Sequence, residues 1–283
     1  MAVARTEPWA VSDALWERVR PLVPAAPSHA KGGRPRMDDR QAFAAMVYVL
    51  RTGIQWNALP RELGASSTVH ARFQAWERAA FFTRLWEAGL AAYDELVGLD
   101  WQWQAVDGVM TKAPFGGAAT GPNPTDRGKR GTKRSLLTEG AGLPLAVEVD
   151  GANRHDMKLL AATLDGVVVT RPAPTDDAPQ HLCLDAGYDY DVVRDEVAAR
   201  GYVAHIRSRG EERRLKLLVP GHRARRWVVE RTHSWMDRSR RLLVRWEKKV
   251  RNYLAFLHLA CAQLLFAKLD RRWEAAAAVV SAA

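Results

Sequence analysis

Near residue 100 the apolar residues change their spacing from every third or fourth position to every second, and this switch constrains the fold more than any other feature. Before it, the chain reads as helices. Ser12-Asp13 opens an amphipathic segment carrying Leu15, Trp16, Val19 and Leu22, which stops at Pro24. The Pro, Gly and basic stretch from Pro24 to Asp38 reads as a flexible loop. Asp38 or Asp39 caps a strong helix ended by Gly53. Next come a turn around Trp56, Leu59 and Pro60, a short helix RELG, a turn at Gly64, and a helix capped by Ser66-Ser67-Thr68. With Arg72 and Gln74 expected on its exposed side, this last unit is a helix-turn-helix candidate whose recognition helix begins at Ser67.

After the switch, WQWQAVD alternates and ends in Asp107. KRSLLTE and PLAVEVD are two β-like runs joined by GAGL, a hairpin pattern. HDMKLLAATLDG is helical, QHLCLDAGYD is a buried strand ending at Asp185, the next helix stops at Gly201, and YVAHIR is another strand. RRWVVERTHSWMDRSRRLLVRW reads as one long amphipathic helix and VRNYLAFLHLACAQLLFAKL as a second, more apolar one. This order gives an α/β fold with a mixed sheet and flanking helices, the order of a ribonuclease H-like core, preceded by a small all-helical domain.

The net charge of +10 is concentrated: residues 201–283 hold 19 Lys and Arg against 7 Asp and Glu, so the rest of the chain is slightly acidic. A smaller basic cluster, Arg127, Lys129, Arg130, Lys133 and Arg134, lies mid-chain. Charge gathered in this way suits a polyanion, and the predominance of Arg favours phosphate contact through its guanidinium fork. No run approaches the roughly 20 apolar residues of a membrane span, and the first residues lack the apolar middle of a secretion signal. The expectation is a cytoplasmic, nucleoid-associated protein with no membrane partner. Cys183 and Cys261 sit in apolar runs and read as small buried hydrophobes, without the spacing of a zinc site. No phosphate loop with Gly-Lys-Ser/Thr is present, nor the pattern of an activated serine.

Three carboxylates fall where a shared site is feasible. Asp107 and Asp185 follow the first and fourth strands; if those strands are neighbours, both side chains emerge on one rim of the sheet. On a helical wheel Glu230 sits beside the apolar arc of Val228, Val229, Thr232, Trp235 and Met236, within a polar stripe shared by Arg226, His233 and Asp237. Acids crowded together without His or Cys suit hard divalent cations and disfavour zinc. Two such ions about 3.5–4 Å apart would activate one oxygen of a phosphodiester exchange and stabilise the other. Taken singly, each acid has a plainer reading: Asp107 and Asp185 as solvated surface groups, Glu230 as a helix ion-pair residue. His155 and Asp156 either approach the site or cap the helix that follows them.

The segments AVDGVMTKAPFGG, NPTDRGKRGTKRSLLTEGAGLPLAVEVDGANRHD, LDAGYDYD and RWVVERTHSWMDRSRRLLVRWE resemble bacterial insertion-sequence transposases of the DDE class, closest to the insertion-sequence-five family. GGRPRMDDR and LRTGIQWNALP resemble that family's leading helical domain. The resemblance covers nearly the whole chain. It implies a helical DNA-binding domain over 1–95 and a ribonuclease H-like catalytic domain over 96–270; the low-complexity end over 271–283 reads as a flexible tail. It implies that Asp107, Asp185 and Glu230 bind two Mg2+ (or Mn2+) ions and cut and rejoin DNA at the inverted repeats of a mobile element, as a homodimer on DNA. Arg226 matches the family's Arg-x-x-x-Glu signature. That signature also has a Tyr where this chain has Arg223 and a Lys where it has Asp237; Arg238, next door, is the candidate for the basic role. Expected DNA contacts are Arg226, Arg238, Lys129, Arg130, Lys133, Arg134, Arg72 and Gln74, with His155, Asp156 and His233 near the site. A structure-selective nuclease with the same core and a non-catalytic DNA-binding regulator are the alternatives.

Overall fold

The computed structural model describes residues 9–26, 35–206 and 225–282 with the single positions 7 and 218, and side chains of the last helix as far as residue 270. Part of the expected loop over 24–38, and Arg223, lie outside the described residues. The first helices form as their caps dictate. Helix α1 (Asp13–Val19) has Ser12 as N-cap, its hydroxyl accepting from the Leu15 amide. Helix α2 (Asp39–Thr52) has the Asp38 carboxylate on the Gln41 amide at its start and Gly53 at its end, with φ of 72°. RELG is a 3-10 turn over Arg61–Leu63 rather than an α-helix, and Ala65 rather than a serine occupies the N-cap of α3 (Ser66–Arg78). After a left-handed Ala80, α4 (Phe81–Val97) follows.

Strands β1 (Trp103–Lys112), β2 (Gly121–Pro122), β3 (Arg130–Thr138) and β4 (Pro144–Gly151) come next, then helix α5 (Met157–Asp165), strand β5 (Gln180–Leu184), helix α6 (Asp191–Ala199) and strand β6 (Tyr202–Ile206). Among the described residues the sheet runs β4-β3-β1-β5-β6, with the short β2 beside the start of β3. The β4-β3-β1 side is antiparallel, while β5 and β6 lie parallel to β1. That is the mixed sheet of a ribonuclease H-like fold. Asp107 lies inside β1 rather than past its end, because β3 pairs with β1 as far as Lys112, beyond the point where β5 stops.

The expected long closing helix is broken. Helix α7 (Trp227–Asp237) gives way to a 3-10 turn over Arg240–Leu242, after Ser239 leaves the helical region with ψ of 92°. Val244 then bridges to Lys112 at the far end of β1. The last helix, α8 (Val250–Ala282), packs along α4, so one apolar cluster joins the leading helices to the sheet. By length and composition Val250–Asp270 could cross a membrane, contrary to the sequence expectation that no segment qualifies. Two-thirds of that window (67%) is buried inside the protein, as befits the core helix of a globular fold. Both cysteines are buried.

Candidate active site

The register of β1 and β5 builds the first half of the site. Ala105 faces Cys183 across this parallel pair, so two more steps along each strand bring Asp107 and Asp185 level. A period of two keeps both on the face of Ala105 and Cys183. Asp185 ends its strand and accepts from the Gly187 amide at 2.8 Å, capping the tight turn Ala186–Tyr188. Next to Asp107, a Cβ at Gly108 would meet the Asp156 carboxylate, which would have to shift to admit a side chain there.

Helix α7 brings the second half. Val228, Val229, Thr232, His233 and Met236 are its buried residues, and Glu230 stands at the edge of that face with its side chain 49% exposed. Its carboxylate pairs with Arg226 one turn earlier at 3.2 Å. An exposed i,i+4 pair of this kind contributes only about 0.3–0.5 kcal/mol, so it is easily exchanged for a better partner.

The three acids feel one another. Burial pushes the Asp107 carboxyl up to about 6 against the pull of the Gly108 amide and Arg226, and the charges of Asp185 and Glu230 add to the rise. Among the described residues, however, no group of three His, Cys, Asp or Glu side chains stands close enough to hold one ion. Asp185 accepts from the Gly187 amide, and Glu230 is paired with Arg226. The donor set is all carboxylate and already carries mutual repulsion, which suits a divalent cation.

Of the expected DNA contacts, several are committed elsewhere. Arg134 is fully buried; its Nη2 donates to Asp237 at 2.7 Å and its Nε to His233 Nδ1 at 3.3 Å. Lys133 is buried and donates to Asp156 at 2.9 Å and to the Arg154 carbonyl at 2.7 Å. Both belong to a strand covered on its two faces, so the basic cluster read as a single DNA-facing patch divides. Lys129 and Arg130 are exposed and line a groove with Lys112, Asp126 and Trp246. Arg72, expected to be exposed, is 9% exposed and bound to Asp39 and to the Met37 carbonyl; Gln74 is half-buried against His70. Arg238 is exposed on the side of Arg51, where the two cations repel. His233, placed on a polar stripe by the helical wheel, is buried with Nε2 3.4 Å from the Asp107 carbonyl oxygen.

Asp156 and Tyr188 extend the acidic neighbourhood. Burial raises the Tyr188 hydroxyl well above its usual range, with Asp156, Asp107 and Asp185 adding to the rise. Exposed His155 stacks edge-on against Tyr190, which follows the Asp185 turn. Tyr188 was not expected in the site. Its only sequence signal is position, three residues after Asp185.

The sheet order, with Asp107 and Asp185 beyond the last pair of two neighbouring strands and Glu230 on a later helix, agrees with the DDE class that the sequence resembles. Residues 103–265 match the family model "Transposase DDE domain", and residues 11–86 match "Putative transposase of IS4/5 family". The chain belongs to the DDE transposase family of bacterial insertion sequences. It is 35% identical over 165 residues to "Putative transposase for insertion sequence element IS402" from Burkholderia cepacia, a match spanning 58% of this chain and 76% of that protein. It is 33% identical over 118 residues to "Insertion element IS402 uncharacterized 16.2 kDa protein" from the same organism, spanning 40% of this chain and 80% of the relative. Among solved structures it has a distant likeness to the Mos1 mariner paired end complex with Mn, with TM-score 0.28 and 11% identity over 76% of this chain and 81% of that one.

Proposed function

We propose that this transposase cleaves phosphodiester bonds at the ends of an insertion sequence and joins the freed 3′-hydroxyl to target DNA, using Asp107, Asp185 and Glu230 as metal ligands. The observation that carries the reading is the carboxyl of Asp107, raised to about 6 chiefly by burial, with the charges of Asp185 and Glu230 adding to the rise. With Glu230 turned from Arg226, the three would hold two Mg2+ or Mn2+ ions, which supply activation of the attacking oxygen and stabilisation of the leaving one. Arg226, released by the same rotation, is placed to grip the scissile phosphate with its two-pronged fork. Asp107 gives up its proton as the site fills, since a carboxylate must be ionised to bind a cation. Exposed Lys129 and Arg130 hold neighbouring backbone phosphates. Arg238, on the side of Arg51, is a second phosphate contact. Two ends must be joined, so the working unit is a homodimer on DNA, acting at the nucleoid.

The test is a cleavage and joining assay on DNA carrying the element's own ends. Cleaved and joined products should form with Mg2+ and vanish in EDTA or with Asp185→Asn. Equal product in EDTA would remove the metal mechanism; cleavage without joining would leave a nuclease.

A further inference from the structure

We infer that Arg134, buried on β3, is a positioning residue for the acidic site: through His233 it holds the main chain of Asp107, and through Asp237 it holds the helix that carries Glu230. The inference rests on the metal-site reading above and adds the device that sets the spacing of its ligands.

The hydrogen-bond directions follow from the chemistry of the side chains. A guanidinium can only donate, so His233 Nδ1, 3.3 Å from Arg134 Nε, must be the acceptor. With Nδ1 accepting, that nitrogen carries no proton and the His233 ring is neutral. A neutral ring carries one proton, which therefore sits on Nε2 and points at the Asp107 carbonyl 3.4 Å away. Pairing with β5 ends at Ala105, so at Asp107 strand β1 has β3 alone as a strand partner. The imidazole supplies the fastening from the α7 side.

The same guanidinium grips α7 a second time. Its Nη2 meets Asp237 at 2.7 Å, one helical turn beyond His233. Two contacts a turn apart fix both the rotation and the height of the helix, and Glu230 lies three residues before the first of them. Asp237 stands where the family signature places Lys, and in this chain it is the counter-charge of Arg134. A buried cation on β3 accounts for an acid at that position.

Manganese titration of the full-length chain, followed by the loss of the free Mn2+ electron-spin-resonance signal, tests the relay. His233→Ala should weaken Mn2+ binding about tenfold or more, in the range that orienting groups behind metal ligands contribute. His233→Gln should recover most of it, since the amide can accept from Arg134 and donate to the Asp107 carbonyl. Thr232→Val removes the bond from the next residue of the same helix to the Gly142 carbonyl, and should lower the melting temperature without altering Mn2+ affinity. Unchanged affinity in His233→Ala, or equal weakening in Thr232→Val, overturns the relay. If Asp185→Asn also leaves Mn2+ binding untouched, the metal-site reading itself fails and the relay's role with it; weakening by Asp185→Asn alone condemns only the relay. Should His233→Ala not fold, the ring nitrogen shifts of wild-type His233 decide: a proton on Nε2 is expected, and one on Nδ1 contradicts the inference.

Discussion

The two halves of the acidic site are built on different terms. Asp107 and Asp185 each lie two residues past the last β1–β5 pair, Ala105 and Cys183, and the register continued along both chains brings them level. Glu230 rides on a helix reached after a long connection, stands half exposed, and spends its charge on Arg226. The sheet half is preset by backbone geometry. The helix half is held by side chains, Arg134 foremost among them, and its carboxylate is engaged by Arg226. One part of the constellation is therefore rigid and the other adjustable.

Substitutions can break that contrast, and the largest effect belongs to the rigid half. Asp107→Asn or Asp185→Asn should lower DNA cleavage by about a thousandfold or more, worth roughly 4 kcal/mol of transition-state stabilisation, with little change in fold. A loss under tenfold in a cleavage time course would show that the strand pair does not carry the chemistry. Arg134→Met should cost about 3 kcal/mol in a urea melt, because it leaves Asp237 and His233 without their buried partner; Asp237 is 40% exposed, which keeps the cost below that of a fully buried acid. A cost below 1 kcal/mol would mean that α7 is held by its apolar face alone.

Metal binding should depend on pH in a direction set by Asp107. Its carboxyl is raised to about 6, so the folded chain keeps that proton at pH 5 and the proton competes with the cation. Manganese affinity should rise between pH 5 and pH 7 and level off above. The metal-free chain has the opposite trend: stability supplied by the protonated acid is complete below the unfolded value of about 4 and lost as pH rises through 6. Asp107→Asn should flatten both profiles. The smallest effect belongs to the surface cations. Lys129→Ala and Arg130→Ala should each reduce the salt slope of DNA binding by about 1, whereas Lys133→Met, already bound to Asp156, should leave the slope unchanged.

The alternation of apolar residues placed Asp185 at the end of its strand, whereas Asp107 lies inside β1, because pairing with β3 carries that strand on to Lys112. The sequence was less informative about α7 and its partners. Helical spacing places His233 beside Glu230 on a polar stripe, yet His233 is buried; the wheel cannot show that a guanidinium from β3 waits for it. Charge content likewise reads Lys129 through Arg134 as one basic run. Strand alternation within a sheet covered on both faces buries Lys133 and Arg134 and leaves Lys129 and Arg130 outside. The helix-turn-helix candidate shows the same failure. Arg72 points inward because Asp39, from the preceding helix, supplies a partner that spacing along α3 cannot reveal.

A crystal of the full chain soaked in Mn2+, examined by anomalous scattering, tests the convergence of the three acids most directly. The expected result is manganese density between Asp107 and Asp185, with Glu230 turned off Arg226 toward the ion. Well-ordered carboxylates with no manganese between them at saturating concentration, and Glu230 still paired to Arg226, would contradict it.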